Sequence, residues 1–248
     1  MKVSIITIVY NNVNTIASCL ESVQSQTYDN IEHIVIDGKS NDGTIDIIKK
    51  FEKRIDVFIS EKDNGLYDAL NKGIGKATGD IVGILHSDDM FYSSHTIDDV
   101  VKRMKKTNAD LLYGNGVYVE RANTSNIKRV YSSRPFKKDY LKYGWIPLHT
   151  TIFVKSEVFD EYGLYDESYS IASDYDISLR WFLNTAIKKT FLDEFIVKMR
   201  LGGKSTTLGL QKKKSSQDIK IIKKHGLPGY FTLACKIGRK IPQYLKRG

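Results

Sequence analysis

The apolar residues of this chain come in two rhythms that take turns. Val3 to Val9 is a continuous β-branched run, the pattern of a strand buried on both faces. Asn14 then stands where it can cap a helix whose apolar positions are Ile16, Leu20 and Val23. The alternation continues with a strand over Ile31–Ile36 and a helix opened by Asp42 and Thr44, with Ile45, Ile48 and Phe51 on one face. Val57–Ser60 reads as a strand, Leu66–Ala77 as a helix and Asp80–His86 as a strand. Thr96–Lys106 reads as a helix with Ile97, Val100, Val101 and Met104 inward, and Asp110–Tyr113 as a strand. Strands and helices in alternation with short connections predict an α/β fold, a mostly parallel sheet covered on both faces.

After Gly114 the rhythm loosens. Val117–Tyr131 reads as a hairpin broken at 121–126, and Thr151–Val154 as a short strand before a helix near Ser156–Tyr162. Asp174–Asn184 reads as a helix, with Trp181 in its core-facing set. Trp145 and Pro147 lie in a segment free to stack on a sugar ring. Two further helices are expected, Lys-rich Gln211–His225 and Tyr230–Lys246, the second kinked or broken at Pro242. The 248 residues therefore divide into 1–114, 115–200 and a helical tail, 201–248.

Charge sharpens that division. From Lys198 to Gly248 there are 14 Lys and Arg and one acid, Asp218, a net +13, whereas the preceding 197 residues carry −4. With 41% apolar and 27% charged residues, the composition excludes whole-chain disorder. Two distant cysteines, Cys19 and Cys235, exclude a disulfide scaffold and fit a reducing cytosol. No Cys/His cluster has zinc spacing, there is no Walker A sequence, and the glycines at 73, 75 and 79 miss the dinucleotide spacing. The first residues, MKVSIITIVYNN, are too short and then too polar for a membrane span or signal peptide.

In an open parallel sheet, ligands bind beyond the carboxyl ends of the strands. Those ends carry Thr7, Val9, Tyr10 and Asn11; then Asp37 and Gly38; then Lys62, Asp63 and Asn64; then Ser87, Asp88 and Asp89. Carboxylates converging on one edge repel unless a cation or donors offset them. Hard Asp oxygens suit Mg²⁺ or Mn²⁺, which take their other ligands from phosphates and water and so imply a diphosphate substrate. Acids after a strand also serve as helix N-caps, but two adjacent ones exceed what a cap needs.

The strand SIITIVYNN, the turn IDGKSNDGT, the block DNGLYDALNKGIGKATGDIVGILHSDD and the later SDYDISLRW together resemble family 2 glycosyltransferases of the GT-A fold, bacterial surface-polysaccharide type, over about residues 1–200. The resemblance implies that Thr7, Val9 and Tyr10 flank a nucleotide base and that Asp37 accepts from its ring N–H. It places Asn64 in a loop closing over the base, Lys72 at the diphosphate side, Asp88 on ribose or sugar, and Asp89 on the metal. Asp174 aligns with the base of an inverting transfer, and an N-cap is its other reading. Ser173 stands where the family often has Glu, and Asp176 reads as a solvated surface acid. His149 borders the acceptor or diphosphate, or is a packed structural histidine. Arg200 and Lys204, with Gly202 and Gly203, match a late glycine loop over the donor diphosphate, or form a plain mobile turn.

The function implied is inverting transfer from a UDP-sugar to a hydroxyl of a polyprenyl-diphosphate-linked or oligosaccharide acceptor in O-antigen or capsule assembly, with Mn²⁺ or Mg²⁺ as cofactor. The alternatives are a nucleotidyltransferase of similar fold, or a non-catalytic protein binding membrane or nucleic acid. The tail sets an apolar face (Tyr230, Phe231, Leu233, Ile237, Ile241, Tyr244 and Leu245) beside Lys236, Arg239, Lys240, Lys246 and Arg247. That pattern predicts attachment to an anionic membrane at the cytoplasmic face rather than nucleic-acid binding, for which stacking platforms are missing.

Overall fold

The computed structural model describes residues 1–202 and 208–239. One nine-stranded sheet organises it, built from β1 (Val3–Val9), β2 (Ile31–Asp37), β3 (Val57–Ser60), β4 (Ile81–Ile84), β5 (Asp89–Phe91), β6 (Leu111–Val119), β7 (Ile127–Tyr131), β8 (Phe153–Lys155) and β9 (Lys189–Arg200). The order is β3-β2-β1-β4-β8-β6-β9-β5, with β7 paired to β6. The first four strands are parallel, as are β6 and β9; β8 runs antiparallel to both β4 and β6. This is the mostly parallel α/β sheet that the alternation predicts.

Helices α1 (Ile16–Gln24), α2 (Thr44–Lys50), α3 (Leu66–Ile74) and α4 (Thr96–Thr107) are the crossovers of the first half. Side chains alternate along β1: Val3 and Ile5 pack with Cys19 of α1 and Val100 of α4, and Ile6 and Ile8 pack with Leu70 of α3. Burial on both faces is why β1 reads as an unbroken apolar run. Helix α1 begins one residue later than expected: Thr15, not Asn14, is its N-cap, and the Thr15 hydroxyl donates to Asn12 Oδ1 and Ser87 O instead of capping.

The second half departs further from expectation. Its longest strand, β9, was not legible as a strand, nor was the short β5 of the first half, and residues 149–151 form a 3-10 turn before β8. Trp145 and Pro147 are buried, so neither can stack on a sugar. Trp145 instead meets Tyr113, Phe136, Tyr140 and Phe182 in an aromatic cluster.

Helix α5 (Ser156–Tyr162) follows β8, and α6 (Ser173–Leu183) carries the SDYDISLRW segment. Asp176, expected on the surface, is fully buried in α6. Its carboxylate takes Arg180 Nη2 at 2.8 Å, Lys224 Nζ at 3.0 Å and His225 Nε2 at 2.9 Å. The last two come from the end of α7 (Leu208–Lys224) and the residue after it. Burial raises the Asp176 carboxyl, but these three partners overcome it and hold the group below the usual carboxylate range.

The expected tail helix is α8 (Gly229–Gly238), and residues 240–248, Pro242 included, lie outside the described residues. It packs on the 3-10 segment Lys138–Tyr143, where Thr232 Oγ1 donates to Lys142 O at 2.8 Å. Gly144, at φ +66°, admits it: a Cβ there would sit 2.7 Å from the Lys236 backbone nitrogen. Helices α7 and α8 thus dock on the body of the fold. Replacing Asp176 by Ala leaves Arg180, Lys224 and His225 around a hole. The expected loss is about 3 kcal/mol in chemical denaturation, the low end for breaking a buried pair because Lys224 keeps solvent contact. A change under about 1 kcal/mol would contradict this clamp.

Candidate active site

The acids gather where the parallel strands end. At the end of β2, Asp37 is fully buried, accepting from Ser40 N (3.0 Å), Ser40 Oγ (2.5 Å) and Ser60 Oγ (2.6 Å). Gly38 follows it, and a Cβ there would lie 2.4 Å from Asp63 Oδ2 and 3.3 Å from the Tyr10 ring. Glycine therefore lets the ends of β1, β2 and β3 close into one wall. On that wall Tyr10 is exposed, Val9 is buried, and Thr7 faces the interior, its hydroxyl 3.0 Å from His33 Nε2. Asn64 is exposed in the next loop, its N–H donating to Asp68 Oδ2 at 2.8 Å. Lys72, on α3, is paired with Glu61 (2.8 Å) and Asp68 (3.2 Å).

The turn after β4 brings His86, Asp88 and Asp89. Asp89 opens β5 and is buried beside Met199 of β9. Burial, then Asp88, pushes the Asp89 carboxyl well above the usual carboxylate range. Asp88 is half-buried, with Arg121 Nη1 3.7 Å away. Arg200 spans the turn, donating to Asp88 O at 2.8 Å and Ser18 Oγ at 2.9 Å, and its buried Nε has no hydrogen-bond partner. Lys204 lies outside the described residues.

Among the described residues no three His, Cys, Asp or Glu side chains form a metal cage. The donor set fits a different arrangement. Asp89 offers a hard, under-neutralised carboxylate next to a second one, suited to a divalent ion that brings most of its ligands with it.

Across from this turn stands Asp174, in the first turn of α6. Tyr67 OH donates to its Oδ1 at 3.1 Å, and His149 Nδ1 is 3.4 Å from its Oδ2. His149 Nε2 lies 2.8 Å from His86 Nε2. Burial raises the Asp174 carboxyl, but Lys214 of α7, His149, Lys236 of α8 and Tyr67 outweigh it and hold it at about 2. Gln217 of α7 accepts from Ile171 N (3.0 Å) and Ala172 N (3.2 Å), tying down the chain just before this helix. So Asp174 and His149 are brought together, and His86 links them to the turn that carries Asp88 and Asp89. The sequence reading passed over His86, Tyr67, Lys214 and Gln217. His86 and Tyr67 sit inside quoted motifs, whereas Lys214 and Gln217 are brought in only by the docking of α7.

This curled sheet, with acids at its strand ends and a second acid on the facing helix, defines a GT-A nucleotide-sugar transferase fold. The TarS domain of S. aureus in complex with UDP-GlcNAc superimposes with a TM-score of 0.67 at 18% identity, over 95% of this chain and 69% of that one. A Pyrobaculum calidifontis mannosyltransferase in complex with GDP-Man and Mn²⁺ gives 0.62 at 16% identity, over 98% and 73%. The chain spans 39% of a longer TarS chain. An uncharacterised glycosyltransferase of Mycobacterium tuberculosis is 33% identical over 72% of this chain and 68% of its own. A PGL/p-HBAD biosynthesis glycosyltransferase of Mycobacterium bovis is 28% identical over 83% and 79%. Residues 4–161 match the family profile, and the chain belongs to glycosyl transferase family 2. It is a glycosyltransferase.

The buried imidazoles give the protein an acid-side weakness. Burial lowers His33 from 6.5 to about 3 and, against the pull of Asp174, His149 from 6.5 to about 4. As pH falls from 6.5 towards 4, the unfolded chain binds protons that the folded one refuses, so stability drops. Glu32 and Asp174, both held at about 2, extend the loss below pH 4. The melting temperature is expected to fall steadily from pH 6.5 to 4, less steeply in His33→Gln; a flat profile would contradict the burial argument.

Proposed function

We propose that this protein moves a sugar from a UDP-sugar to a hydroxyl of a glycan acceptor by a single inverting displacement. The acceptor is carried on a polyprenyl diphosphate during assembly of a bacterial surface polysaccharide. The observation that carries the reading is an ionised, half-buried Asp174, tied through His149 and His86 to the turn bearing Asp88 and Asp89. Solved relatives of the fold that bind UDP or UDP-GlcNAc support the donor class.

The wall formed by Val9, Tyr10, Asp37 and Asn64 receives the uracil, with Thr7 supporting it from within. Asp88 orients the ribose or sugar. Asp89 would hold Mn²⁺ or Mg²⁺, which supplies charge stabilisation for the departing diphosphate when bound. Arg200 adds positive charge on that side, and Lys72 does so on release from Glu61 and Asp68. Asp174 takes the proton of the acceptor hydroxyl as its oxygen bonds the anomeric carbon. The bond from that carbon to the diphosphate oxygen breaks, and UDP leaves with the electron pair. His149 lines the acceptor side.

Attachment to the inner face of the membrane fits the surface of the C-terminal helices. Tyr143 (53% exposed), Tyr230 (72%), Phe231 (54%) and Ile237 (51%) are exposed, with Tyr143 and Phe231 edge to face. Lys223 lies over the Tyr230 ring, and the surrounding segment is strongly basic. Lys236 does not serve there, because it is paired with Asp218 at 2.9 Å. Among the described residues no helix is long and apolar enough to cross a membrane.

UDP release from a panel of UDP-sugars, with Mn²⁺ and a lipid-diphosphate GlcNAc acceptor, tests the activity. One donor is expected to give acceptor-dependent turnover, and no turnover with no UDP binding would overturn the reading. Asp174→Asn should lower that turnover on the order of 10³-fold with unchanged UDP affinity. Cosedimentation with phosphatidylglycerol vesicles should weaken ~tenfold in the Tyr230→Ser, Phe231→Ser double variant and with added salt; equal binding to neutral vesicles would contradict the membrane reading.

A further inference from the structure

Three side chains are joined to Asp174: buried Tyr67 and half-buried His149 directly, and half-buried His86 through its bond to His149. The Nε2 atoms of His86 and His149 are 2.8 Å apart, with the rings edge to face at 61°. A bond of that length between two imidazole nitrogens needs one proton and one lone pair. The other nitrogen of His149 faces a carboxylate oxygen at 3.4 Å, where a bare lone pair would be repelled. So His149 carries its proton on Nδ1, towards Asp174, and its Nε2 accepts from Nε2–H of His86.

The chain of contacts runs across the cleft. His86 belongs to the turn after β4, two residues before Asp88, and its backbone oxygen accepts from Cys19 Sγ at 3.3 Å. His149 belongs to the 3-10 turn before β8. Asp174 belongs to α6, and its second oxygen is fixed by Tyr67 from α3. Four elements thus hold one carboxylate, each of its oxygens facing one donor, which leaves one lone pair on each for an acceptor hydroxyl. Both rings feel Asp174, and His86 also feels Asp88, so the pair lies between the two acidic groups. Lowered proton affinity from burial keeps both neutral near pH 7, which preserves the single shared proton.

We propose that His149 is a positioning residue that aims Asp174 through its Nδ1–H, and that His86 locks this tautomer, so that the donor-binding turn and the base move as one unit. The proposal rests on Asp174 being the base. Its physical content is that a shift of the turn carrying Asp88 and Asp89 reaches the base through one proton-sharing bond, aligning the base with the loaded donor.

Nitrogen-15 NMR of the wild-type protein, labelled at histidine, reads the tautomers without any substrate. The expected spectrum has His149 protonated at Nδ1 and bare at Nε2, and His86 protonated at Nε2. The Nε2 signal of His149 should shift in His86→Phe. Protonation of His149 at Nε2, or a His149 signal indifferent to His86→Phe, would overturn the tether. On the UDP-sugar that the panel selects, His149→Phe should lower kcat on the order of 10- to 100-fold with KM for the donor within about twofold. His149→Asn, which keeps a donor at the Nδ1 position, should recover part of that loss. The His86→Phe, His149→Phe double variant should be no slower than His149→Phe alone. Additive losses, or no recovery in His149→Asn, would overturn the shared role. A panel without turnover would instead sink the transferase reading, and the NMR result would still decide the tether.

Discussion

The buried carboxylate of Asp176 is the interaction on which the arrangement of the second half depends. Alone in an apolar interior its charge would be prohibitive. It is tolerated because Arg180 comes from its own helix and Lys224 and His225 from the end of α7 and the residue after it, and that requirement fixes where α7 lies. With α7 in place, Gln217 ties down the chain entering α6, and Lys214 stands near enough to Asp174 to keep it ionised. A structural acid two residues from the proposed base thus recruits the helix that keeps that base ionised.

The same logic of offset charge runs through the cleft. In the turn after β4, Asp89 is short of positive charge, since Arg200 spends its hydrogen bonds on Ser18 and a backbone oxygen and Arg121 stands by Asp88. That deficit suits a site completed by a cation and a diphosphate. On the acceptor side Asp174 is over-supplied with positive neighbours, and Lys214 has no carboxylate at ion-pair distance among the described residues. The proposed base, kept at about 2, is always ready to accept, at the expense of proton-transfer driving force, and under that proposal geometry must make up the difference.

The first half of the fold was legible because its strands are parallel and buried on both faces, so each reads as an apolar run followed by a polar turn. That pattern places Asp37, Asp88 and Asp89 at strand ends without further information. β9 was not legible, because KTFLDEFIVKMR mixes Asp193, Glu194 and three cations into a half-exposed strand with a register break against β6. Trp145 looked free because its partners Tyr113, Phe136 and Phe182 come from distant segments. Asp176 looked solvated because the residues that bury it, Lys224 and His225, lie at the end of another helix and just past it. The basic tail was read as a separate piece because charge is visible in sequence, whereas the docking of α7 and α8 depends on Gly144, Asp218 and Asp176 far from one another.

The central claim is that Asp174 and the Asp88–Asp89 turn flank one anomeric carbon from opposite sides. The anomeric configuration of the first-formed product, read by proton NMR before any equilibration, tests it most directly. A product of configuration opposite to the UDP-sugar is what this geometry requires. A product that retains the donor's configuration would mean that Asp174 does not act as a base facing the departing diphosphate.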